Sequence, residues 1–236
     1  MIQSNGKKKL PLTDKKDILT KCIYGVDIDV HAVEVSKFSL LIKLIEDETP
    51  ASVKECVPIL PDLSSNIKNG NSLICREDIH GKELPIEVLC NIKPFEWETI
   101  NGGAKFDAIV GNPPYVKTED IHTLETEEEF AVYKKKYKSA YKQFDKYFLF
   151  LEKAFDLLKE DGQMCYIVPN KFYKIGAGQE LRRITAKYVS KLDDFGDMQL
   201  FPDKTIYSCI ITLCKECNKQ LQYTNVISLT DLWTGE

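Results

Sequence analysis

Two alternating patterns of hydrophobic and polar positions run along the chain. Short apolar runs at residues 23–28, 106–110 and 164–168 predict strands, and the strand at 106–110 is predicted to be buried. Between the first two runs, residues 30–46 place apolar side chains at a spacing of three or four, which predicts an amphipathic helix. Asp29 precedes this helix and is predicted to cap it. Strands that alternate with helices favour an α/β fold around a parallel sheet.

The same patterns predict the rest of the architecture. A Pro follows the run at 164–168 and is expected to end that strand. The remaining predicted elements are a short strand within residues 67–74, an irregular segment over 77–103, helices over 126–141, 147–158 and 179–188, strands over 189–195 and 208–213, and an edge strand over 223–227.

One predicted strand leads directly into a motif with chemical meaning. Residues 106–110 are followed by Gly111, Asn112, Pro113, Pro114 and Tyr115. In open α/β sheets, ligands bind at the carboxyl ends of the strands, so the motif is expected at an active-site edge. The two prolines fix φ and remove two backbone donors, which makes the turn rigid and leaves its carbonyl oxygens available.

A rigid turn of this composition suits chemistry on an amino group attached to an aromatic ring. The lone pair of such a nitrogen is delocalised, so the nitrogen is a poor nucleophile. The Asn112 side-chain oxygen and the Pro113 carbonyl are predicted to accept its two N–H bonds and to stabilise the charge that develops during attack. Tyr115 is predicted to stack on the nucleobase that carries this amino group, after the base has flipped out of the nucleic-acid helix. The plainer interpretation is a tight Pro-Pro turn with a buried Asn.

Three segments together resemble a known family. They are FDAIVGNPPYV, the upstream IYGVDIDVHAVEVSKFSLLIKL and the downstream FLEKAFDLLKEDGQMCYIVPNKF. The chain resembles, over residues 20–215, the amino-methyltransferases of restriction–modification systems, and within them the fused type II enzymes that methylate adenine. The resemblance implies a Rossmann-like fold that uses S-adenosylmethionine, with a mostly parallel sheet and an antiparallel last strand.

The resemblance also implies a set of cofactor-binding residues. Asp27 matches the acidic residue that binds the ribose hydroxyls, and Ile28 would pack on the adenine ring of the cofactor. Asn71 stands where relatives usually carry Asp, and its amide oxygen can still accept from the cofactor's amino group. The Ser72 backbone N–H is expected to contact the same ring. The alternatives are a solvated carboxylate for Asp27, a core residue for Ile28 and a turn residue for Asn71.

The family's glycine-rich first strand finds no match in residues 1–22, where Gly6 stands alone. We therefore expect a truncated fold that lacks its first strand and binds S-adenosylmethionine weakly or not at all. Residues 1–20 are predicted as a polar segment, 21–215 as a partial catalytic domain and 216–236 as an edge segment. The resemblance implies that target-recognition and nuclease domains belong to the same full-length chain, outside these residues.

Two further regions are candidates for the substrate side. Phe172 and Lys171 follow the predicted strand at 164–168, and relatives often hold the flipped base with an aromatic residue nearby. Tyr133, Tyr137 and Tyr141 recur every four residues in a lysine-rich helix. Stacking with phosphate contacts is one interpretation of this stripe, and an amphipathic helix with a solvated basic face is the interpretation we favour.

Composition and charge narrow the remaining possibilities. The formal net charge is −4, so binding to double-stranded DNA requires a local basic face or a region elsewhere. The polar start lacks the apolar run of a signal peptide, and no segment has the length of a membrane span, which favours the cytoplasm. The eight cysteines lie mostly in apolar stretches and are expected to be small buried thiols. Cys214 and Cys217 form a lone CxxC pair without partners at suitable spacing, so no metal site is predicted.

Two competing functions stay open from the sequence. One is a methyltransferase that acts on an RNA base or a protein glutamine, since the same motif serves other planar amino groups. The other is a non-catalytic methyltransferase-like module that binds DNA. The intact motif at 112–115 argues against the second.

Overall fold

The computed structural model describes residues 2–4, 7–201, 206–216 and 220–232. The chain divides into two compact units, the N-terminal unit Met1–Ala104 and the C-terminal unit Lys105–Glu236. The predicted domain boundaries near residues 20 and 215 stay predictions.

The described residues of the N-terminal unit form two small sheets and four α-helices. Strands β1 and β2 form an antiparallel pair, and strands β3 and β4 form a parallel pair in which Asp27 lies opposite Asn69. Its elements in chain order are β1 (Ile2–Ser4), β2 (Lys7–Lys9), α1 (Leu12–Cys22), β3 (Gly25–Asp27), α2 (Val30–Ile45), α3 (Pro50–Glu55), β4 (Ile67–Asn69) and α4 (Ile86–Ile92).

The helix predicted after Asp29 is confirmed as α2. The Asp29 side chain accepts a hydrogen bond of 2.8 Å from the His31 backbone N–H, which satisfies one of the free donors at the start of the helix. Val33 and Leu44 on one face of the helix are buried in the core of the unit, where they join Leu12 and Leu19 of α1. The spacing of these positions is the helical spacing read from the sequence.

The C-terminal unit is built on one five-stranded sheet with the order β5-β6-β8-β7-β9. Its elements in chain order are β5 (Phe106–Gly111), α5 (Thr118–Leu124), α6 (Glu127–Lys136), α7 (Lys146–Leu157), β6 (Leu158–Pro169), α8 (Gln179–Thr185), β7 (Val189–Gln199), β8 (Tyr207–Cys214) and β9 (Gln222–Asn225). Strands β5 and β6 pair in parallel, and β8 runs antiparallel to both of its neighbours. The mixed α/β sheet with an antiparallel strand is the predicted arrangement.

Helix α7 provides the centre of this unit's core. Tyr147, Phe148, Leu149 and Leu151 are fully buried, and each such side chain contributes roughly 1.5–3 kcal/mol to folding by leaving water. The helix leads directly into β6, which pairs with β5 on one side and with β8 on the other. The core therefore fixes the strands whose carboxyl ends carry the predicted motifs.

The prediction that residues 106–110 are buried is wrong. Strand β5 is the edge strand of the sheet, and its residues are exposed or half-buried; Val110 is 80% exposed. An apolar run indicates that a strand can pack against a core, but the position of the strand within the sheet depends on pairing with residues that are distant in sequence.

Two other predictions need correction. Helix α6 ends at Lys136, short of the predicted end at 141, because the backbone N–H groups of Lys138 and Ser139 donate to the buried Glu152 carboxylate. The expectation that most cysteines are buried is also wrong. Of the seven that the structure describes, two are buried, three are half-buried, and Cys22 and Cys90 are exposed on helices.

Candidate active site

The Asn112–Tyr115 turn follows β5 without an intervening residue. Gly111, the last residue of the strand, lies so close to the Tyr166 ring that a Cβ on it would sit 2.9 Å from a ring carbon. Glycine is therefore required for β5 to approach β6 at the point where the turn begins. Asn112 is exposed, Pro113 is buried and Pro114 is exposed. The structure thus anchors the turn at Pro113 and presents the Asn112 amide at the surface of the unit.

Tyr115 folds back over the turn. Its hydroxyl donates to the Asn112 Oδ1 at 2.6 Å and contacts the Ile167 carbonyl oxygen at 2.9 Å. Its half-buried ring meets the buried Tyr147 ring edge to face, with 6.0 Å between the centroids. Burial raises the pKa of Tyr115 to about 12, so the hydroxyl keeps its proton at neutral pH. Stacking of this ring on a flipped base stays a prediction.

An open cleft borders Tyr115. It has a volume of about 280 Å³ and is lined by Tyr115, Val116, Asp120, Thr123 and Leu124. This volume is near the lower end for small-molecule sites, which hold roughly 300–1,000 Å³. The side of Tyr115 that faces α5 is consequently accessible to a ligand of modest size.

The second predicted substrate segment follows β6. Phe172 is 4% exposed and packs edge to face with Tyr173, so its ring offers little surface to a base. Lys171 forms an ion pair of 2.8 Å with the buried Asp145. Burial raises the pKa of the Asp145 carboxyl, although Lys171 opposes the shift. Of the two predicted substrate residues, Phe172 therefore serves the core, and the Lys171 ammonium already has an anionic partner.

A buried carboxylate that the sequence analysis did not assign organises this edge of the sheet. Asp194 in β7 accepts hydrogen bonds from the Asn170 amide at 2.9 Å, the Gly196 backbone N–H at 3.1 Å, the Tyr223 hydroxyl at 3.1 Å and the Tyr173 hydroxyl. Burial favours the neutral form of Asp194, but the four donors outweigh burial and lower its pKa below the usual 3.8. The signal in the sequence was the pair Asp193-Asp194 inside a predicted strand, where a buried charge needs partners.

Two of the three tyrosines in the stripe, Tyr133 in α6 and Tyr137 directly after it, belong to the core. Tyr133 and Tyr137 are 0% and 4% exposed, which removes them as stacking platforms and agrees with the amphipathic interpretation. The Lys134 ammonium donates to the carbonyl oxygens of Ala140 and Lys142, and it lies 4.9 Å from the centre of the Phe144 ring. Lys134 therefore closes the turn after the helix.

In the N-terminal unit, the predicted ribose-binding residue lies at the end of β3. Asp27 is exposed, and its Oδ1 accepts a hydrogen bond from the Asp29 backbone N–H at 2.8 Å. Among the described residues, no hydrogen-bond donor to its Oδ2 is found, so this oxygen is available to a ligand. The Asn69 amide donates to the carbonyl oxygens of Asp27 and Ile28 at 3.0 Å, and the Lys93 ammonium also donates to Ile28 at 3.0 Å. Ile28 itself is 43% exposed. These bonds hold the strand end with Asp27 and Ile28 facing solvent.

Asn71 and Ser72 have contacts typical of a turn after β4. The buried Asn71 Oδ1 accepts from the Leu73 backbone N–H at 3.0 Å, and the Ser72 carbonyl accepts from the Trp97 indole at 2.9 Å. A Cβ on Gly70 would sit 2.8 Å from the Phe95 ring, so this turn packs tightly. A cofactor contact of Asn71 would have to share the oxygen that binds Leu73.

Two kinds of feature are absent from the described residues. No group of three or more His, Cys, Asp or Glu side chains is arranged to hold a metal ion there. Cys217 of the CxxC pair lies outside the described residues, and the Cys214 thiol contacts the Ser190 hydroxyl at 3.3 Å. In the same residues, no helix combines the length and apolar character that a membrane crossing requires.

Two solved structures have a fold similar to that of this chain. A nuclease-deletion mutant of the Type ISP enzyme LlaGI, in complex with a DNA substrate mimic, superposes with a TM-score of 0.62 and 15% identity, covering 92% of this chain and 19% of that chain. The DrdV–DNA complex gives a TM-score of 0.59 and 15% identity, covering 92% of this chain and 22% of that chain. These likenesses establish the fold, a Rossmann-like methyltransferase fold.

Two proteins with similar sequences are a restriction enzyme and methyltransferase and a methyltransferase. The type II restriction enzyme and methyltransferase RM.Eco57I of Escherichia coli is 46% identical over 220 residues, which are 92% of this chain and 21% of the relative. The type II methyltransferase M.BstVI of Geobacillus stearothermophilus is 39% identical over 85 residues, which are 36% of this chain and 14% of the relative. The chain thus spans about a fifth or less of the length of these relatives.

The family match covers the residues that carry the sites described above. The model of the Eco57I restriction-modification methylase family matches residues 21–201, a span that includes Asp27, the Asn112–Tyr115 turn and Asp194. With most of its length matched by this model, the chain belongs to the Eco57I restriction-modification methylase family.

Proposed function

We propose that this chain carries the methyl-transfer site of a restriction–modification enzyme that methylates the N6 amino group of adenine in double-stranded DNA. The observation that carries the proposal is the exposed Asn112 amide on a proline turn at the carboxyl end of β5. Membership in the methylase family and the 46% identity with RM.Eco57I support it.

The chemical role of the turn follows from what an aromatic amine needs. The Asn112 Oδ1 and the Pro113 carbonyl oxygen accept the two N–H bonds of the adenine amino group. These hydrogen bonds favour a tetrahedral nitrogen, so the lone pair becomes localised and can attack a methyl group. The rigid prolines hold both oxygens in place before the substrate arrives, which lowers the cost of reorganisation. The proton that the nitrogen loses after attack passes to solvent.

The N-terminal unit fits the cofactor that this reaction requires. S-adenosylmethionine supplies the electrophilic methyl group when it is bound. The exposed carboxylate of Asp27 at the end of β3 is suited to accept hydrogen bonds from ribose hydroxyls, as acidic residues do in dinucleotide-binding folds. The neighbouring Ile28, with 43% of its surface exposed, offers an apolar contact for an adenine ring. We propose Asp27 and Ile28 as cofactor-binding residues, with Asn71 and Ser72 as additional contacts from the turn after β4.

The proposal implies partners beyond the chain itself. Double-stranded DNA is the substrate, and target-recognition and nuclease functions belong to other parts of the enzyme. Tyr115 is the proposed stacking residue for the flipped base, since its ring lines the open cleft beside α5. Phe172 and Lys171 are proposed to support the substrate side indirectly, Phe172 by packing in the core and Lys171 by its ion pair with Asp145. We propose that the enzyme acts in the cytoplasm, where its DNA substrate is located.

The experiment uses the protein in the longest form that its gene encodes. Purified protein is incubated with S-adenosylmethionine that carries a tritiated methyl group, together with DNA, RNA or protein substrates. We expect label in double-stranded DNA and its loss in Asn112→Ala. Gln143→Ala removes an exposed side-chain amide elsewhere in the same unit and serves as the matched control. Label in RNA or protein instead of DNA, or full activity of Asn112→Ala, would contradict the proposal.

A further inference from the structure

The Tyr115 hydroxyl has contacts that base stacking does not require. A phenylalanine ring would stack as well as a tyrosine ring, because the interaction uses the ring face. Here the hydroxyl lies 2.6 Å from the Asn112 Oδ1 and 2.9 Å from the Ile167 carbonyl oxygen. One hydroxyl carries one proton, so the two acceptors share it. The contact with Asn112 joins the last residue of the turn to its first.

Asn112 needs such a contact because an amide has two ends of nearly equal shape. Only the oxygen can accept from a substrate amino group, and the –NH₂ end would oppose it with two donors. In the described part of the chain, the hydrogen bond to the Asn112 side chain comes from Tyr115. An exposed amide that lost this bond would be free to rotate about its terminal torsion, whose preference is broad.

Given the proposed function, on which this inference rests, we infer that the Tyr115 hydroxyl is a positioning group that fixes the rotation of the Asn112 amide for methyl transfer. The amide oxygen has two lone pairs. One accepts the hydrogen bond from Tyr115, and the other stays available to the amino group of the substrate. Tyr115 thus acts on the reaction through Asn112, in addition to its proposed stacking.

The hydroxyl is itself held by the adjoining strand. Ile167 belongs to β6, which pairs with β5 up to the contact between Gly111 and Tyr166. The buried Tyr147 ring packs edge to face on Tyr115, a ring contact that does not involve the Tyr147 hydroxyl. The rigid end of β6 therefore fixes the position of Tyr115, and the Tyr115 hydroxyl fixes the rotation of the Asn112 side-chain amide.

Tyr115→Phe tests the inference because it keeps the ring and removes only the hydroxyl. Tyr147→Phe is the matched control, since it removes a neighbouring buried hydroxyl that also bonds a β6 carbonyl but does not reach Asn112. Both variants are made in the longest form of the protein. Three quantities are measured: the single-turnover rate of methyl transfer to DNA, the Kd for DNA and the melting temperature.

We expect Tyr115→Phe to lower the single-turnover rate about three- to tenfold, the range of one ordinary hydrogen bond, while the Kd for DNA changes less than twofold. Tyr147→Phe should lower the melting temperature at least as much and leave the rate within twofold of wild type. A Tyr115→Phe rate within twofold of wild type, or an equal loss of rate in both variants, would overturn the inference.

The same assay separates this inference from the proposed function. A wild-type protein that transfers methyl groups, an inactive Asn112→Ala and an unchanged Tyr115→Phe would remove the positioning role and keep the function. A wild-type protein that methylates no DNA, or an Asn112→Ala variant with full activity, would remove both.

Discussion

Asp194→Asn is the substitution whose effect the structure defines most fully. It keeps the shape of the side chain and removes the charge that four donors surround. The new amide must turn its oxygen towards the Asn170 amide and the Gly196 N–H, because neither group can accept a hydrogen bond. Its –NH₂ then faces the hydroxyls of Tyr173 and Tyr223, which can rotate and accept. All four contacts survive in the variant, but without assistance from a charge.

The expected magnitude follows from that count. A hydrogen bond to a charged acceptor contributes about 1.5–3 kcal/mol and a neutral one about 0.5–1.5 kcal/mol, so four bonds together lose roughly 4–6 kcal/mol. Removal of a buried charge also removes part of its desolvation penalty, which amounts to several kcal/mol per ion before relaxation. We expect Asp194→Asn to lower the free energy of unfolding by about 2 kcal/mol net.

The neighbouring residue gives a matched control. Asp193 lies in the same strand and is equally buried, at 4% exposure against 5% for Asp194, but its carboxylate has an ion pair with the half-exposed Lys191 at 3.0 Å. A pair with one partner near solvent contributes about 0–1 kcal/mol, so Asp193→Asn should cost less than about 1 kcal/mol. Urea unfolding followed by circular dichroism measures both variants against wild type.

The dependence on pH provides the refuting result. Because the pKa of Asp194 is lowered in the folded protein, its carboxylate stabilises the fold above the ordinary value of 3.8 and loses this effect as the pH falls through the folded value. The stability difference between wild type and Asp194→Asn should therefore be largest near neutral pH and shrink in acid. A difference that stays constant or grows as the pH falls, or equal costs for the two variants, would refute the account of this carboxylate.

Two further predictions concern the ends of the strands. Gly111→Ala places a methyl group 2.9 Å from a carbon of the Tyr166 ring, so it should lower the free energy of unfolding in urea by about 1–3 kcal/mol and slow methyl transfer at least tenfold by displacing Asn112. The control is Gly176→Ala, whose Cβ would meet no atom within 4 Å, and equal effects of the two substitutions would contradict the close-approach argument. Asp27→Ala should raise the Kd for S-adenosylmethionine about tenfold or more, because the ribose hydrogen bonds are lost, while the Kd for DNA stays the same. Isothermal titration of the longest form of the protein measures the cofactor Kd, and an unchanged value would place the ribose elsewhere.

The local elements were predictable because their signals are local. The cap at Asp29, the apolar spacing of α2 and the proline that ends β6 each act within a few residues, and all three predictions are confirmed. The resemblance implied an antiparallel strand in a mostly parallel sheet, and β8 runs antiparallel to β6 and to β7. Helix α1 was missed, since residues 12–22 read as a mostly polar segment and only Leu12 and Leu19 are buried.

Features that depend on distant residues escaped prediction. The end of α6 is set by Glu152, a residue of another helix that binds the backbone of Lys138 and Ser139. The exposure of β5 follows from its place at the edge of the sheet. The partners of Asp194 come from three separate segments, which only the folded sheet brings together.

The candidate site shows the same division between local and distant information. The sequence located the Asn112–Tyr115 turn at the end of a strand, and the structure places it there. The bond from Tyr115 to Asn112, the burial of Phe172 and the pairing of Lys171 with Asp145 all required the packing of β6 and α7 beside that turn. The expectation that this chain alone binds S-adenosylmethionine weakly or not at all stays a prediction.

The most direct test of the central claim identifies the methylated nucleoside. The longest form of the protein is incubated with S-adenosylmethionine and unmodified double-stranded DNA, the DNA is digested to nucleosides, and the products are separated by mass spectrometry. Since the oxygens of Asn112 and Pro113 are proposed to receive the amino group of adenine, the account predicts N6-methyladenine, and none with Asn112→Ala. Methylated cytosine as the product, or N6-methyladenine at the wild-type level from Asn112→Ala, would contradict it.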